Sequence, residues 1–178
     1  MIKLFTLAAI AALSAVSVAQ SASAVFPLGR DAIEGATWSR YPFGMGTGRW
    51  QQIELQSRGR PFTVRGLEFR RDGELTEPVL AQTANLTLRI GAGDPAAFSS
   101  RFGSNWSAPP TTVFQNQAFN LPALPKPATS PAAFALRFPL TTAYAHSGQE
   151  ALLWEFTVLA TASNYWCDGD QLELLRAE

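Results

Sequence analysis

The stretch that decides the fold lies near the carboxyl end of the chain and reads Leu152-Leu153-Trp154-Glu155-Phe156-Thr157-Val158-Leu159-Ala160. Successive side chains of a β-strand point to opposite faces of the sheet, so residues two positions apart share a face. One face therefore holds Leu152, Trp154, Phe156, Val158 and Ala160, and the other holds Leu153, Glu155, Thr157 and Leu159. The first face is apolar and the second is mixed. The pattern predicts a strand with one face in a core and the other half-covered, with Glu155 in contact with water.

The same alternation of apolar and polar residues recurs in shorter segments elsewhere in the chain. They are residues 50–55, 62–65, 67–70, 85–90, 111–114, 134–140 and, at the end, the leucines of 172–175. Gly66 interrupts one alternation and predicts a β-bulge, and Pro139 confines its strand to an edge or a bulge. The stretch Gly91-Ala92-Gly93-Asp94-Pro95 is expected to end a strand. Asp94 followed by Pro95 predicts a single helical turn that runs to Phe98.

These segments favour an all-β fold. Seven or eight short strands, joined by connections rich in glycine and proline, are typical of a β-sandwich. The connections 91–110 and 120–131 are long, and the second contains four prolines. Connections of this length suit the crossings of a jelly roll or Greek key better than a simple meander.

The amino terminus predicts export. Lys3 is followed by an apolar run over residues 4–19 and by the small-residue site Ala22-Ser23-Ala24, which is the pattern of a cleaved secretory signal peptide. We therefore expect a signal peptide over 1–24 and a single β-sandwich domain over 25–178. The product would be periplasmic, on the cell surface or extracellular. No later segment is apolar over enough residues to span a membrane.

Composition narrows the classes of partner. The chain has 14 basic and 14 acidic residues, and removal of Lys3 leaves a formal charge of −1. Near-neutrality gives no electrostatic support for binding nucleic acid or an anionic membrane. The arginines of 49–71 are interleaved with glutamates and are expected to form a solvated, partly paired strand face. Cys167 is the only cysteine and is expected to be a buried, inert thiol.

Several short motifs together resemble a family of uncharacterised exported bacterial β-sandwich proteins. They are Tyr41-Pro42-Phe43-Gly44, Arg49-Trp50-Gln51-Gln52-Ile53, Leu67-Glu68-Phe69-Arg70-Arg71-Asp72-Gly73, Phe102-Gly103-Ser104-Asn105, Thr112-Val113-Phe114 and Gly148-Gln149-Glu150-Ala151-Leu152-Leu153. The resemblance covers most of the chain after the signal peptide and implies a secreted β-sandwich. It implies no activity and no functional residue.

Motifs of catalysis are sparse, so we expect a protein that is not an enzyme and has no cofactor. The chain lacks the G-x-S-x-G and H-E-x-x-H motifs, and its only histidine, His146, is expected in a surface turn. Glu54, Glu68 and Glu155 leave open a glycoside hydrolase with paired glutamates, although outward-facing, solvated carboxylates are the simpler interpretation. Asp168 and Asp170 predict a turn, with a calcium site as the alternative.

Aromatic residues in or beside loops remain as candidates for binding. The candidate ligand-binding residues are Trp38, Tyr41, Trp106, Tyr144 and Trp166, with Tyr165 beside them. Exposed rings of this kind stack on sugar faces in carbohydrate-binding sandwiches, but they also commonly pack at the edges of a core. The leading hypothesis is therefore an exported interaction or structural module. The alternative is a carbohydrate-binding module, and the partner would be an extracellular glycan or another envelope protein.

Overall fold

The computed structural model describes residues 24–160, 165–169 and 175–177. These residues form strands and three short 3₁₀ turns, which confirms the all-β prediction. The strands are β1 (Thr37–Ser39), β2 (Gly48–Glu54), β3 (Phe62–Arg70), β4 (Gln82–Gly93), β5 (Thr111–Leu121), β6 (Phe134–His146), β7 (Ala151–Ala160), β8 (Cys167–Gly169) and β9 (Leu175–Ala177). The predicted signal peptide lies almost wholly outside the described residues, as do Asp170, Leu172 and Leu174.

The decisive stretch, now β7, is the middle strand of the largest sheet. That sheet has five antiparallel strands in the order β5-β4-β7-β2-β9. Two further antiparallel pairs are present, β3 with β6 and β1 with β8. Because β7 pairs with β2 on one side and β4 on the other over most of its length, its register determines which residues of three strands share a face.

A single main core lies between the five-stranded sheet and the β3–β6 pair. The apolar face of β7 contributes Trp154 and Phe156 to it, and β6 contributes Phe138 from the opposite layer. The rings of Phe138 and Phe156 lie 5.1 Å apart at an edge-on angle. The two layers therefore face each other as in a β-sandwich, and the inward face of β7 is the one that the alternation predicts.

The bulge predicted at Gly66 is confirmed, and Pro139 lies opposite this bulge, as its strand position predicts. The β3–β6 register shifts between Val64 and Gly66, and Gly66 pairs with Pro139. A Cβ added at Gly66 would lie 3.2 Å from the carbonyl oxygen of Phe138, so a side chain would crowd the neighbouring strand. The helical turn predicted after Asp94 is confirmed as a 3₁₀ turn over Pro95–Ala97. The Asp94 side chain stabilises its start, because it accepts a hydrogen bond from the Ala96 amide.

β4 ends at Gly93, within the stretch 91–95 that is expected to stop it, although Gly91 still belongs to the strand. The two glycines also allow close packing. A Cβ added at Gly91 would lie 3.0 Å from the ring of Trp106, and one at Gly93 would lie 2.9 Å from the side chain of Leu153. Glycine in a strand interior often marks such a close approach of another part of the chain.

The expectation that His146 lies in a surface turn is wrong. β6 runs as far as His146, which pairs with Phe62 at the start of β3 and is only 4% exposed. Its Nε2 lies 3.3 Å from the carbonyl oxygen of Ser57, and its ring lies 4.9 Å from that of Phe62. Pairing with β3, which is distant in sequence, extends the strand past the point where the local alternation weakens.

No helix in the described part of the chain has both the length and the apolar character needed to cross a membrane.

Replacing Trp154 by alanine should destabilise the protein by about 3–5 kcal/mol, because a large core side chain would be lost. Trp154 is 4% exposed and contacts the rings of Phe69 and Phe156. Urea melts would measure the loss. Leu159→Ala is the matched control on the same strand: Leu159 is 53% exposed, so its replacement should change stability by less than about 0.5 kcal/mol. Equal losses from the two variants would contradict the assigned faces of β7.

Candidate functional site

The second face of β7 points away from the main core, and we call this side of the five-stranded sheet the outer face. The strand register places Gln51 of β2 and Arg89 of β4 on either side of Glu155. One row further along β7, Arg49 and Thr87 lie on either side of Thr157. Polar residues of three strands therefore meet at the middle of the outer face.

The carboxylate of Glu155 is fully buried at this point and is held by three side chains. Its Oε1 accepts hydrogen bonds from Nε of Arg89, at 2.8 Å, and from Nη2 of the same guanidinium. Its Oε2 accepts from Nη2 of Arg49 at 3.0 Å and from Nε2 of Gln51 at 2.7 Å. We call these four residues the Glu155 cluster. Each carboxylate oxygen has two donors, so the buried charge is compensated.

The segment between β4 and β5 covers part of the outer face and is tied to the same cluster. Gln51 donates from Nε2 to the carbonyl oxygen of Phe102 at 3.1 Å, and its Oε1 accepts from Nδ2 of Asn105 at 2.8 Å. Asn105 in turn accepts from the backbone amide of Ser99. Next to these bonds, Trp106 and Phe98 pack on a small apolar cluster that includes Leu153. The covered part of the outer face is therefore a second, smaller core.

The prediction that Glu155 faces water is wrong for this reason. Alternation correctly puts Glu155 opposite Trp154, but both faces of β7 are buried over residues 151–156. The residues that remove Glu155 from water come from β2, β4 and the covering segment, which are distant in sequence. A carboxylate in this position needs charge partners, and Arg49 and Arg89 supply them.

The three glutamates that could form a hydrolytic pair point in different directions. Glu54 lies on the core side of the five-stranded sheet, where its Oε1 accepts a hydrogen bond from Nε1 of Trp154 at 2.8 Å. Glu155 lies on the outer face of the same sheet. Glu68 lies on β3, where its side chain is 47% exposed and pairs with Arg137 at 3.3 Å. This arrangement does not supply the facing carboxylates that a glycosidase needs.

The expectation of a solvated arginine face is wrong for Arg70 and Arg71, which are both buried. Arg70 donates from Nε to Asp168 at 2.6 Å and from its other nitrogens to the backbone carbonyls of Arg30, Asp31 and Ile33. Arg71 donates to five backbone carbonyls, which belong to Asp72, Leu75, Glu77, Leu124 and Pro125. Burial lowers the pKa of Arg71, although Asp72 opposes the shift. Both arginines fasten loops to the body of the domain.

Asp168, a candidate calcium ligand, lies in β8 rather than in a turn. One oxygen each of Asp168, Glu34 and Asp72 come within 4.8 Å of one another. Burial raises the pKa of Asp168, against the opposing effect of Arg70. Backbone amides already occupy these carboxylates: Gly35 donates to Asp168 at 3.0 Å, Gly73 to Glu34 and Glu74 to Asp72. With Arg70 also bound, the group serves as a loop anchor.

Cys167 is buried, as predicted, and burial raises the pKa of its thiol to about 12. A thiol with so high a pKa is protonated at neutral pH and is a poor nucleophile. The neighbouring Tyr165 is also buried, and its hydroxyl donates to the carbonyl oxygen of Pro122 at 2.9 Å. These two residues belong to the core.

Four of the candidate ligand-binding aromatics are half-buried and engaged in packing. Tyr41 meets the ring of Trp50 edge-on at 5.8 Å, and the guanidinium of Arg40 lies 4.3 Å from the ring centre of Trp166. Trp106 packs on the small outer core, and Tyr144 packs on the main core from β6. The backbone of Trp38 pairs with Asp168, and its side chain lies outside the described part of the structure. Tyr41 and Trp166 lie beside the β1–β8 pair, whereas Trp106 and Tyr144 lie elsewhere.

Beyond the covering segment, the outer face is open, and we call this part the open face. Its residues are exposed or half-buried and nearly all polar: Thr83, Asn85, Thr87, Gln115, Asn120, Thr157 and Leu159. Arg49 and Arg89 lie at its border with the Glu155 cluster, and their side chains are 33% and 31% exposed. The alternation over 83–89 contains the signal for this surface, because every odd-numbered residue is polar, but the strands that complete it are far away in sequence.

Comparison of the chain with protein-family models, with curated proteins and with solved structures gave no match. The functional argument therefore rests on the geometry of these residues.

Replacing Glu155 by alanine should destabilise the protein by about 3 kcal/mol, because two guanidinium groups would lose their shared partner beside a buried space. The estimate is at the lower end for a buried pair, since both arginines reach solvent. Urea melts would measure it, with Glu68→Ala as the matched control: Glu68 forms an exposed ion pair, so its loss should cost less than about 0.5 kcal/mol. A Glu155→Ala variant as stable as Glu68→Ala would contradict the role assigned to the Glu155 cluster.

The Cys167 thiol should resist alkylation in the folded protein. At pH 8 iodoacetamide should modify it slowly in buffer and rapidly in 8 M urea, since unfolding returns the thiol to its ordinary pKa of about 8.5. Mass spectrometry at timed intervals measures both rates. Rapid modification of the native protein would show that the thiol is accessible and ionised, contrary to its burial.

Proposed function

We propose that the protein is an exported, non-enzymatic module, bacterial in origin and with the jelly-roll or Greek-key connections of a β-sandwich, that binds a polysaccharide through the open face. The observation that carries the proposal is the open face itself: a sheet surface of amides and hydroxyls that the covering segment leaves accessible. Cleavage of the signal peptide after Ala24 would deliver this surface to the periplasm, the cell surface or the medium, where polysaccharides occur.

The chemistry of the open face favours a glycan over a protein partner. Asn85 and Gln115 present exposed amides, and Thr83, Thr87 and Thr157 present hydroxyls. Such groups both donate and accept hydrogen bonds, as the hydroxyls of a sugar do. Protein interfaces generally bury an apolar, often aromatic, centre. The open face as defined above has Leu159 as its only large apolar residue.

The state of the more reactive side chains supports a role in binding rather than catalysis. Glu155 is held by two arginines, Glu54 accepts from Trp154, and Asp168 pairs with Arg70. His146 and Cys167 are buried. General acids, bases and nucleophiles must reach a substrate, and these five side chains are all engaged within the fold.

Removing two amides from the open face should weaken polysaccharide binding. The double variant Asn85→Ala/Gln115→Ala deletes exposed side chains and should leave the fold intact. If each amide contributes one hydrogen bond of about 0.5–1.5 kcal/mol, the two together contribute about 1–3 kcal/mol, so Kd should rise about fivefold to 150-fold. Affinity electrophoresis of the mature chain in gels that contain dextran, xylan or polygalacturonate measures binding.

Two control variants separate this surface from the alternatives. Gln149→Ala removes an exposed amide from the turn before β7 and should leave binding unchanged. Trp166→Ala tests the loop aromatics and should also leave binding unchanged. The proposal fails if none of the three polysaccharides retards the protein, or if Trp166→Ala abolishes binding while the double variant retains it.

A further inference from the structure

We infer that the open face ends in a subsite for one neutral sugar ring, and that the ligand is therefore a neutral polysaccharide. This inference rests on the proposed function and specifies its ligand. The subsite is a cavity of about 290 Å³ between the start of β4 and the end of β5. Six residues line it: Ala81, Gln82, Thr83, Asn120, Leu121 and Pro122. Thr83 and Asn120 also belong to the open face, so a glycan that lies on this face can extend into the cavity.

The cavity lies where the pairing of β4 with β5 stops. Pro122 follows the last residue of β5 and has no amide hydrogen to donate, so it cannot continue the ladder. Gln82 pairs with Leu121 before the interruption, and Val79 bridges to Leu124 beyond it, with N–O distances of 3.0 and 2.9 Å. Backbone bonds therefore fasten the two segments on either side of the interruption, and the cavity is formed before a ligand arrives.

The size and the walls of the cavity suit a single sugar ring. Cavities for small ligands usually have volumes of about 300–1,000 Å³, and this cavity lies at the lower end of that range. Its apolar wall consists of Ala81, Leu121 and Pro122, against which the C–H groups of a sugar ring can pack. Pro122 is held in place because the hydroxyl of Tyr165 donates to its carbonyl oxygen at 2.9 Å. The other rings of a bound chain would lie on the open face.

A hydrogen-bonded pair supplies the polar contacts. The hydroxyl of Thr83 donates to Oδ1 of Asn120 at 2.9 Å, and both residues are exposed. The Thr83 oxygen can still accept a hydrogen bond, and Nδ2 of Asn120, which has no acceptor among the described residues, can donate. An acceptor beside a donor matches two adjacent hydroxyls of a sugar ring. Because the two side chains already order each other, their immobilisation by a ligand costs less entropy.

The lining of the cavity favours a neutral ring over an acidic one. None of its six residues carries a charge. The carboxylate of a uronic acid would lose water there without gaining a cationic partner, which is costly, whereas hydroxyls need only hydrogen bonds. Among the polysaccharides named above, dextran and xylan should therefore retard the protein more strongly than polygalacturonate does.

An NMR titration of the mature chain with single sugars tests the cavity separately from the rest of the open face. Glucose or galactose should shift the backbone amide signals of residues 81–83 and 120–121, with a Kd in the millimolar range. The corresponding acid, glucuronate or galacturonate, should bind at least about threefold more weakly. Equal affinities for the sugar and its acid would overturn the neutral ligand, as would stronger retardation by polygalacturonate than by dextran and xylan.

Substitution of the polar pair connects the titration to these side chains. Asn120→Asp keeps an acceptor for Thr83 but removes the amide donor, so the sugar should bind about fivefold more weakly. Gln117→Ala removes an exposed amide of β5 that does not line the cavity and should leave the titration unchanged. Urea melts of both variants should match the wild type. An Asn120→Asp variant that binds the sugar as tightly as the wild type would contradict the assigned contacts.

The double variant Asn85→Ala/Gln115→Ala distinguishes the cavity from the proposed function. Neither residue lines the cavity, so this variant should lose affinity for the polysaccharide and keep the titration with the single sugar. Retardation by a polysaccharide without sugar-induced shifts at the cavity would overturn the subsite while the proposed function stands. Shifts at the cavity in a protein that no polysaccharide retards would refute the proposed function, and with it the assignment of the cavity to a polysaccharide.

Discussion

The structure depends on a buried carboxylate in its central strand. A charge removed from water is costly unless donors surround it, so the position of Glu155 constrains everything that touches it. Arg89 must come from β4, Arg49 and Gln51 must come from β2, and the covering segment must close over them. A slip of one residue between β7 and either neighbour would separate the carboxylate from its donors. The cluster thus disfavours wrong registers in addition to the preference set by the apolar face.

The same constraint divides the outer face into two parts. Where Glu155 and Leu153 lie, the covering segment seals the sheet and β7 is buried on both sides. From Thr157 onward the covering segment no longer buries the outer face, and Thr157 and Leu159 are accessible. The accessible part of this face is therefore bordered by arginines that are anchored to a buried group. Rigidity at the edge of an open polar surface is a property that suits binding.

The sequence predicts the layers of this fold better than it predicts the site. Alternation is a local signal, and it correctly places Trp154 and Phe156 inside and Gly66 at a bulge. The Asp94-Pro95 pair is a second local signal, and it correctly predicts a helical turn. The errors at Glu155, His146 and Arg70 share one cause: the hydrogen-bond partners of these buried residues lie 37 to 106 residues away in sequence, beyond the reach of local pattern. The role of the loop aromatics stays a prediction, because a ring that fills a core edge has the same sequence pattern as one that binds a sugar.

The border of the open face and the burial of Glu155 depend on the same two arginines. A change at Arg89 removes a partly exposed cation and also removes two of the four hydrogen bonds to Glu155, so a loss of binding in such a variant would have two explanations. A change at Thr87 removes none of these hydrogen bonds, since Thr87 lies on the open side of the cluster. This asymmetry has a general consequence for sheets with a buried carboxylate beside an open surface. The residues whose substitution can be interpreted are the neutral neighbours of the charged cluster, and the charged residues themselves report mainly on folding.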